Sequence, residues 1–508
     1  MQVTPPQEQL EGQDAATQVI RVGVVATATS IEIGSNDAYT LRNKATGATL
    51  LSGSGDRLTV SITGAVVTSH YRLQVACASA TARDDWLERA QTAGYATYTE
   101  FVPTANCWRL FIGEFAADAS FSVRSAFRSE VIANSLAGSD SFWKIVTTGE
   151  GSVSYEITRG AESITSSAPV VLEAENGLVL IDGRPYRGVA EVAVNGSGTL
   201  AGINELPLEH YLYGVVPREL PPVPFGELEA QKAQAVAART YALANLGKRR
   251  ADGYDLLPTT SDQVYGGYAA EHPVSTRAVD ETAGIAARYS GGYATTLYHS
   301  TSGGFTANNE DVYNSAPIAY LRGLPDAERG RAVERVPSLE VFKRSANPAS
   351  LRARAEGDHE ADWSRYHRWT FTWTADEISR AISAFAGKEV GRVLEINVLG
   401  RSDSGRVLRI EYVTENGSFY DFKDRVRWSL QYVNASGTLS PLRSTLVYLE
   451  PVTDRQSGEV SGFRAFGGGW GHGVGMSQTG AVGMAERGAS FERILTHYYQ
   501  GISLEKMY

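Results

Sequence analysis

Cysteine is nearly absent from this sequence, with Cys77 and Cys107 the only two in 508 residues. That scarcity excludes a disulfide scaffold and a cysteine-based zinc cluster. It leaves one disulfide as the most the chain can form. Long apolar runs are missing as well. None approaches the ~18–20 residues that a membrane span needs, so no membrane span is expected. No apolar leader opens the chain either. Met1–Ala16 is polar, with Pro5, Pro6, Gln7 and Gln9, and reads as a disordered lead-in. On this reading the chain either stays in the cytoplasm or is a mature form with its targeting segment removed. There is no Lys/Arg-rich run, and the net charge of −10 suits a phosphate backbone poorly, so nucleic acid is not expected as a partner. The eight histidines scatter without metal-ligand spacing, and neither a metal nor another cofactor is expected.

What is present suits ordinary cores. Hydrophobic residues make up 43% and charged residues 20%, which excludes a wholly disordered chain. The length predicts about three domains at ~100–200 residues each. Ile20–Ala28, Tyr39–Leu41 and Leu58–Ile62 are apolar or β-branched runs separated by Gly and Asn/Asp turns. The pattern changes at Tyr71–Phe115. A strand at Arg72–Val75 is followed by a helix at Arg83–Ala93, strands at Tyr95–Phe101 and Cys107–Phe115, and a helix at Ser120–Ser129. That β-α-β-β-α order suggests a small split βαβ module. Strand patterning returns from Gly151 to Val216, and a long Ala-rich helix begins just after Gly226. Asp326–Ala361 is charged and reads as a surface excursion. Asp376–Ala386 is an amphipathic helix, and Ser477–Arg487 and Phe491–Tyr499 are two more.

Four clusters could carry chemistry. Glu219 stands in Pro217-Arg218-Glu219-Leu220-Pro221-Pro222. A carboxyl beside Leu220, Pro221, Pro222 and Phe225 would be desolvated, and the raised pKa suits a general acid. By spacing alone, a solvated loop glutamate is the plainer reading. On the following helix, Lys232 and Arg239 fall on the face that carries Leu228, Ala235, Leu243 and Leu246. A charge there needs a partner or a polar groove, or it snorkels to solvent. The third cluster, Tyr298-His299-Ser300-Thr301-Ser302-Gly303-Gly304, is rich in short hydrogen-bonding groups that suit sugar hydroxyls. It is also what an ordinary polar turn looks like. The fourth, Gly467-Gly468-Gly469-Trp470-Gly471-His472-Gly473-Val474-Gly475-Met476-Ser477-Gln478, lacks the Gly-Lys-Ser/Thr of a phosphate loop. Its glycines permit close backbone approach, and Trp470 can stack on a sugar ring or simply pack. His299 and His472 become metal ligands only if folding joins them.

Taken in order, several stretches strongly resemble the SpoIID/LytB family. They are Tyr186-Arg187-Gly188, Asn204–Pro217, Glu227–Tyr241, Tyr298–Thr306, Gly469–Gln478 and His497-Tyr498-Tyr499. The resemblance covers most of Arg187–Tyr508. Members of the sporulation-protein-D type are peptidoglycan lytic transglycosylases. They cut between MurNAc and GlcNAc in denuded glycan and leave 1,6-anhydro-MurNAc ends. The family's catalytic glutamate lies just ahead of the Lys-Ala-Gln-Ala-Val-Ala-Ala-Arg-Thr-Tyr helix, which implies Glu219 as the catalytic acid and then base. The resemblance also implies Lys232, Arg239, Tyr241, His299, Ser300, Thr301 and Gln478 as groove-lining residues, with Trp470 and His472 added from the glycine loop. Some members bind zinc through Cys and His near the His-Ser-Thr segment. Here Ser302 occupies that region with no cysteine nearby, so no metal is expected.

Tyr71–Val131 resembles a second family, the SPOR domain, through Tyr71-Arg72-Leu73-Gln74-Val75 and Trp108-Arg109-Leu110-Phe111-Ile112-Gly113-Glu114-Phe115. SPOR domains are small βαββαβ modules that bind denuded glycan. Alternation turns Leu73, Val75, Leu110 and Ile112 toward the helices and leaves Gln74, Arg109 and Phe111 on the open face. An ordinary packing module without ligand shows the same alternation. In such a fold Cys77 and Cys107 come within disulfide range. Alternation places them on opposite faces, which argues against the bond, and the question stays open.

The expected fold class is α+β and multi-domain: a β-rich domain and a mixed α/β catalytic core of SpoIID type, with the βαββαβ module inserted. The expected boundaries are a lead-in at 1–18, β-rich SpoIID parts at 19–66 and 138–210, the SPOR-like module at 67–137, and the catalytic core at 211–508 with the excursion at 326–361. The implied partners are denuded peptidoglycan strands and an N-acetylmuramoyl-L-alanine amidase acting upstream. The implied location is the cell envelope, periplasmic or otherwise extracytoplasmic. Two other readings compete. The LytB branch implies a non-catalytic amidase enhancer, and a purely structural wall-binding protein is the third.

Overall fold

The computed structural model describes residues 18–63, 68–102, 107–116, 119, 121–138, 141–148, 153–327, 359–360, 364–434 and 437–508. The expected lead-in, Gln18 apart, and nearly all of the expected 326–361 excursion lie outside the described residues. Helices and many strands in several sheets make an α+β, multi-domain chain.

The first strands are β1 (Val19–Ala28), β2 (Ser30–Gly34), β3 (Ala38–Asn43), β4 (Thr49–Ser54) and β5 (Arg57–Thr63). Then come β6 (Thr68–Ala78), helix α1 (Ala80–Thr92), β7 (Thr97–Val102), β8 (Cys107–Ala116), helix α2 (Phe121–Ala133) and β9 (Phe142–Thr148). The β-rich part resumes with β10 (Ser154–Arg159), β11 (Glu162–Ser166), β12 (Val170–Ala174), β13 (Leu178–Ile181), β14 (Arg184–Arg187), β15 (Val189–Val194) and β16 (Leu200–Pro207). Two six-stranded sheets result, in the orders β1-β16-β15-β12-β3-β4 and β11-β10-β5-β2-β13-β14. Their alternating apolar residues meet in one core that includes Ile20, Val22, Leu41, Val60, Ile157 and Val192. Period-two patterning on a sheet with one buried face produces this arrangement.

Strands β5 and β10 are hydrogen-bonded neighbours, with Thr63 opposite Ser154. Everything between them forms a separate antiparallel sheet, β7-β8-β6-β9. Leu73, Val75, Leu110 and Ile112 pack with Trp86 and Ala90 of α1 and Val131 of α2, as alternation predicts. The sequence boundary at 137 falls short. The fourth strand, β9, pairs with β6 from Gln74–Phe142 to Thr68–Thr148, and its mixed composition had not marked it as part of the module.

Cys77 and Cys107 are joined in a disulfide, with Cα atoms 5.6 Å apart. The alternation argument fails because the β6–β8 register shifts between Gln74 and Ala76. Such a bulge inverts the facing of the residues that follow it. The bond closes a sequence separation of 30 residues, so opening it is expected to cost the module about 2–4 kcal/mol. Hydrogen exchange of the whole protein, oxidised and reduced, checks this. Protection in β8 should fall on reduction while that in β1 and β16 stays. Equal protection in both states would remove the structural role.

After β16 come the helices α3 (Leu208–Glu219), α4 (Leu228–Ala244) and α5 (Pro273–Glu281). Strand patterning was expected to continue to Val216. Instead Leu208, Tyr211, Leu212, Val215 and Val216 are buried at helical spacing in the sandwich core. That i, i+3, i+4, i+7, i+8 series was the available signal. The short strands β17 (Ile285–Tyr289), β18 (Gly292–Tyr293) and β19 (Tyr298–His299) follow. Residues 369–465 carry their own apolar core, with Trp369, Trp373, Ile378, Ile410, Tyr412 and Phe463, inside what the sequence reading took as one catalytic core.

Candidate active site

Helix α3 is anchored by its apolar face, and this places its last residue, Glu219, at the meeting point of three segments. Gln231 on α4 pins the proline-rich turn by donating to the carbonyls of Leu220 (2.8 Å) and Phe225 (3.1 Å). The Val264 amide donates to Glu219 Oε1 at 2.6 Å. The Gln478 amide donates to the Glu219 main-chain carbonyl at 2.9 Å. The Tyr298 hydroxyl accepts from Gln263 Nε2 at 2.9 Å. Burial pushes the carboxyl up to about 7, against the opposing pull of the Val264 amide, Tyr298 and Gln478. No charged neighbour contributes to that shift, so desolvation alone makes Glu219 an acid at neutral pH.

Two of the sequence clusters close over this point together. Tyr298 and His299 of β19 pair in parallel with Met476 and Ser477. Thr301 and Trp470 exchange main-chain hydrogen bonds of 3.0 and 2.8 Å. The glycines explain how the strands come so near. A side chain at Gly475 (φ +72°) would lie 2.1 Å from the Leu297 carbonyl oxygen, and one at Gly469 (φ +76°) 2.6 Å from that of Thr301. Both demands, positive φ and backbone contact, leave only glycine.

The predicted residues divide. Trp470 is 39% exposed, with its ring 4.3 Å from that of Tyr366. Gln478 sits at the Glu219 carbonyl and also reaches Gln234 Oε1 at 3.2 Å. His299 and His472 do come together, with ring centroids 5.6 Å apart. His299 Nδ1 bonds the Val474 carbonyl at 3.2 Å, while its buried Nε2 has no partner. His472 Nδ1 accepts from the Val474 amide at 3.0 Å. Burial drives both histidines well below their ordinary pKa, so both are neutral. Ser300 is half-buried and bonds Thr301 at 3.2 Å. Tyr241 is buried, facing Asp262 (3.4 Å) and Lys248 (3.3 Å).

Three predictions need correction. Arg239 lines no groove. It is fully buried and clasps Glu209 with Nε–Oε1 at 2.7 Å and Nη2–Oε2 at 2.6 Å, with further bonds to the carbonyls of Val279 and Ile285. Helix α4 is buried on nearly every side, so its charges serve packing partners. Lys232 likewise gives its ammonium to Glu229 and Glu281, each at 2.8 Å. Thr301 is wholly buried and cannot meet a ligand.

In the inserted module, Gln74 stands opposite Phe111, and Arg109 bonds Glu100 at 3.3 Å. Phe111 is fully buried, with Tyr98 at 5.7 Å and the Lys144 ammonium 5.7 Å from its ring. Alternation gave its face correctly but not what covers that face.

At Ser302 the hydroxyl lies between Asp326 (2.6 Å) and Glu360 (2.8 Å), and Glu360 is paired with His367 at 2.7 Å. Both ends of the expected surface excursion are therefore buried. Among the described residues no three His, Cys, Asp or Glu side chains are grouped to hold a metal ion.

The sequence reading missed Tyr211, Gln263 and Val264. It quoted Tyr298 but gave it no role. No spacing rule marked Asp262-Gln263-Val264. Only folding brings that loop to Glu219.

Residues 196–289, which contain Glu219, match the family model described as SpoIID, Stage II sporulation protein. Residues 307–475 match a domain of unknown function, DUF8618. The amidase enhancer of Bacillus subtilis (strain 168) is 29% identical over 306 residues, covering 58% of this chain and 40% of that protein. Stage II sporulation protein D of Bacillus amyloliquefaciens is 27% identical over 319 residues, covering 60% of this chain and 76% of the relative. An uncharacterized protein of Brachyspira hyodysenteriae is 28% identical over 337 residues, covering 66% and 76%. The match thus spans about two fifths of the length of the amidase enhancer. The chain is similar to proteins named amidase enhancer and stage II sporulation protein D.

Proposed function

We propose that this protein is a peptidoglycan lytic transglycosylase acting on denuded glycan strands. The observation that carries the proposal is Glu219, a carboxyl whose pKa burial pushes up to about 7 and whose main-chain carbonyl accepts from Gln478 at the end of the glycine loop. In the proposed reaction Glu219 gives its proton to the glycosidic oxygen between MurNAc and GlcNAc. The bond from the anomeric carbon to that oxygen breaks, and positive charge builds on the carbon. The 6-hydroxyl of the same MurNAc attacks, forming the 1,6-anhydro ring. Its proton passes to the Glu219 carboxylate, which restores the acid. Atoms balance without water and without a second catalytic carboxyl.

A cell-wall-related role is supported by the similarity to the SpoIID model and to these relatives. An extracytoplasmic site of action is supported by those relatives and by the Cys77–Cys107 disulfide, since oxidising compartments favour such bonds. No helix among the described residues is long and apolar enough to cross a membrane. The βαββαβ insertion supports a SPOR-like glycan anchor, with Gln74 and Arg109 on its open face. Tethering of that kind raises the effective concentration of the site along the same polymer. The amidase enhancer of Bacillus subtilis supports a second reading, in which this chain binds glycan and stimulates a partner amidase without cutting.

Mass spectrometry of products separates the readings. Amidase-treated glycan and intact sacculi are incubated with the wild type and with Glu219→Gln. Anhydro-MurNAc ends from denuded strands, lost in the variant, are expected. Reducing ends would mean hydrolysis by water. Intact strands with retained binding would favour the enhancer.

A further inference from the structure

Trp470 is held from both sides. The Gly469 amide donates to the Tyr366 carbonyl and the Gly471 amide to the Arg443 carbonyl, each at 2.8 Å. The Arg443 guanidinium lies among four rings, 4.7 Å from Phe371, 4.9 Å from Tyr366, 5.8 Å from Tyr432 and 5.9 Å from Trp470. Phe371 stacks on Tyr432 at 4.2 Å. Arg443, Tyr366, Phe371 and Tyr432 are half-buried and Trp470 is exposed, so solvent reaches this cradle. Nearby arginines are occupied. Arg427 donates to the Leu442 carbonyl at 2.8 Å and to Asp424 at 3.2 Å, and Arg401 donates to the carbonyls of Gly405 and Val447, each at 2.8 Å. The Arg443 guanidinium has no such partner among the described residues, and its Nε is buried without one. Aromatic faces offset part of the desolvation of a cation. They do not satisfy its N–H donors, which form a planar fork that matches a carboxylate. Packing alone leaves that fork unused.

We infer that Arg443 is an anion subsite for the glycan and takes the lactyl carboxylate of MurNAc, with Trp470 beside it against a sugar ring. The inference rests on the proposed action on denuded strands and deepens it. Removing a stem peptide hydrolyses the amide on the lactyl group and leaves a carboxylate there. That charge is what marks a strand as denuded. A chain of net charge −10 repels such a polyanion overall, so recognition needs a local cation with unfilled donors. The loop that begins at Trp470 runs on to Gln478, which donates to the Glu219 main-chain carbonyl at 2.9 Å. One continuous segment therefore carries the subsite's aromatic wall and a support of the candidate acid.

The test is ligand binding by the full chain labelled with fluorotryptophan. The fluorine NMR signal of Trp470, assigned with Trp470→Phe, reads this site and not the inserted module. Three tetrasaccharides are titrated at low salt: alternating GlcNAc and MurNAc with free lactyl carboxylates, the same sugar with those carboxylates as methyl amides, and chitotetraose. The wild type is expected to bind the carboxylate form about tenfold or more tightly than the amide, and salt should shrink the preference. Arg443→Met should lose the preference and keep its affinity for chitotetraose. Arg443→Lys should keep part of it, since the charge stays and the fork goes. Equal binding of carboxylate and amide by the wild type, or a Trp470 signal that none of the three moves, would overturn the inference whether or not any variant folds. So would a preference that survives in Arg443→Met, or in Arg443→Gln should the methionine disturb the cradle. Binding is read without turnover. A protein with the Arg443-dependent preference that cuts nothing would refute the proposed reaction alone. One that cuts denuded strands without the preference would refute the subsite alone.

Discussion

Glu219→Gln is expected to lower glycan-strand cleavage by about a hundred- to ten-thousand-fold, the usual contribution of a general acid, with glycan binding retained. Glutamine fills the same space and can still accept from the Val264 amide, but it has no acidic proton. Wild-type cleavage should fall as pH rises through about 7, because the protonated carboxyl is the active form. Stability should move in the opposite sense between the two proteins. Burial raises Glu219 in the folded state from its ordinary 4.5 to about 7. Between those values the folded state keeps a proton that the unfolded chain has lost. Folding stability contributed by this group therefore declines as pH rises from about 4.5 to 7. The amide cannot ionise, so Glu219→Gln should be the more stable protein at pH 8, by up to about 3 kcal/mol at ~1.4 kcal/mol per pH unit. Near pH 4 the two should match. Calorimetry at both pH values, beside the cleavage assay, reads the whole prediction. A variant that still cuts at near wild-type rate would end the case for Glu219.

Arg239→Met is expected to cost about 3–5 kcal/mol, the range for breaking a buried ion pair from one side. The methionine leaves the largely buried Glu209 with, among the described residues, the Tyr508 hydroxyl and the Gly284 amide as partners. It also strips donors from the carbonyls of Val279 and Ile285. Burial by itself would raise the Glu209 pKa, but the Arg239 guanidinium outweighs it and the carboxyl lies below its usual value. That stabilisation is present above the ordinary carboxyl pKa and is lost as pH falls through the lowered one. Arg239→Lys should rescue little, because one ammonium cannot reproduce a two-pronged clasp. Arg239→Met with Glu209→Gln should recover part of the loss. Activity per folded molecule should stay near wild type in all of them. Normal stability with weakened glycan binding in Arg239→Met would restore the groove role read from sequence.

Periodicity and turn chemistry in the sequence were enough to reveal the β-rich part, the Ala-rich helix α4 and the β-α-β-β-α order between them, while Glu219 was implied by the resemblance to SpoIID/LytB. Each is written locally. Alternation needs only neighbours on one strand, and the SpoIID-like motifs are contiguous runs. Local pattern failed where the answer lay across the fold. Arg239 and Lys232 share a helix face with leucines, and one helix cannot show that Glu209 and Glu281 wait opposite. Phe111 lies on the face alternation assigned it, but burial depends on what covers that face. Cys77 and Cys107 read as misaligned because a register shift is a property of two strands. Val264 and Gln478 reach Glu219 from two distant stretches, and no local pattern marks their meeting. The sequence by itself determined which residues could be acids, donors and core. The tertiary structure alone decided which of them are desolvated and paired, because burial and hydrogen bonding belong to the space between elements.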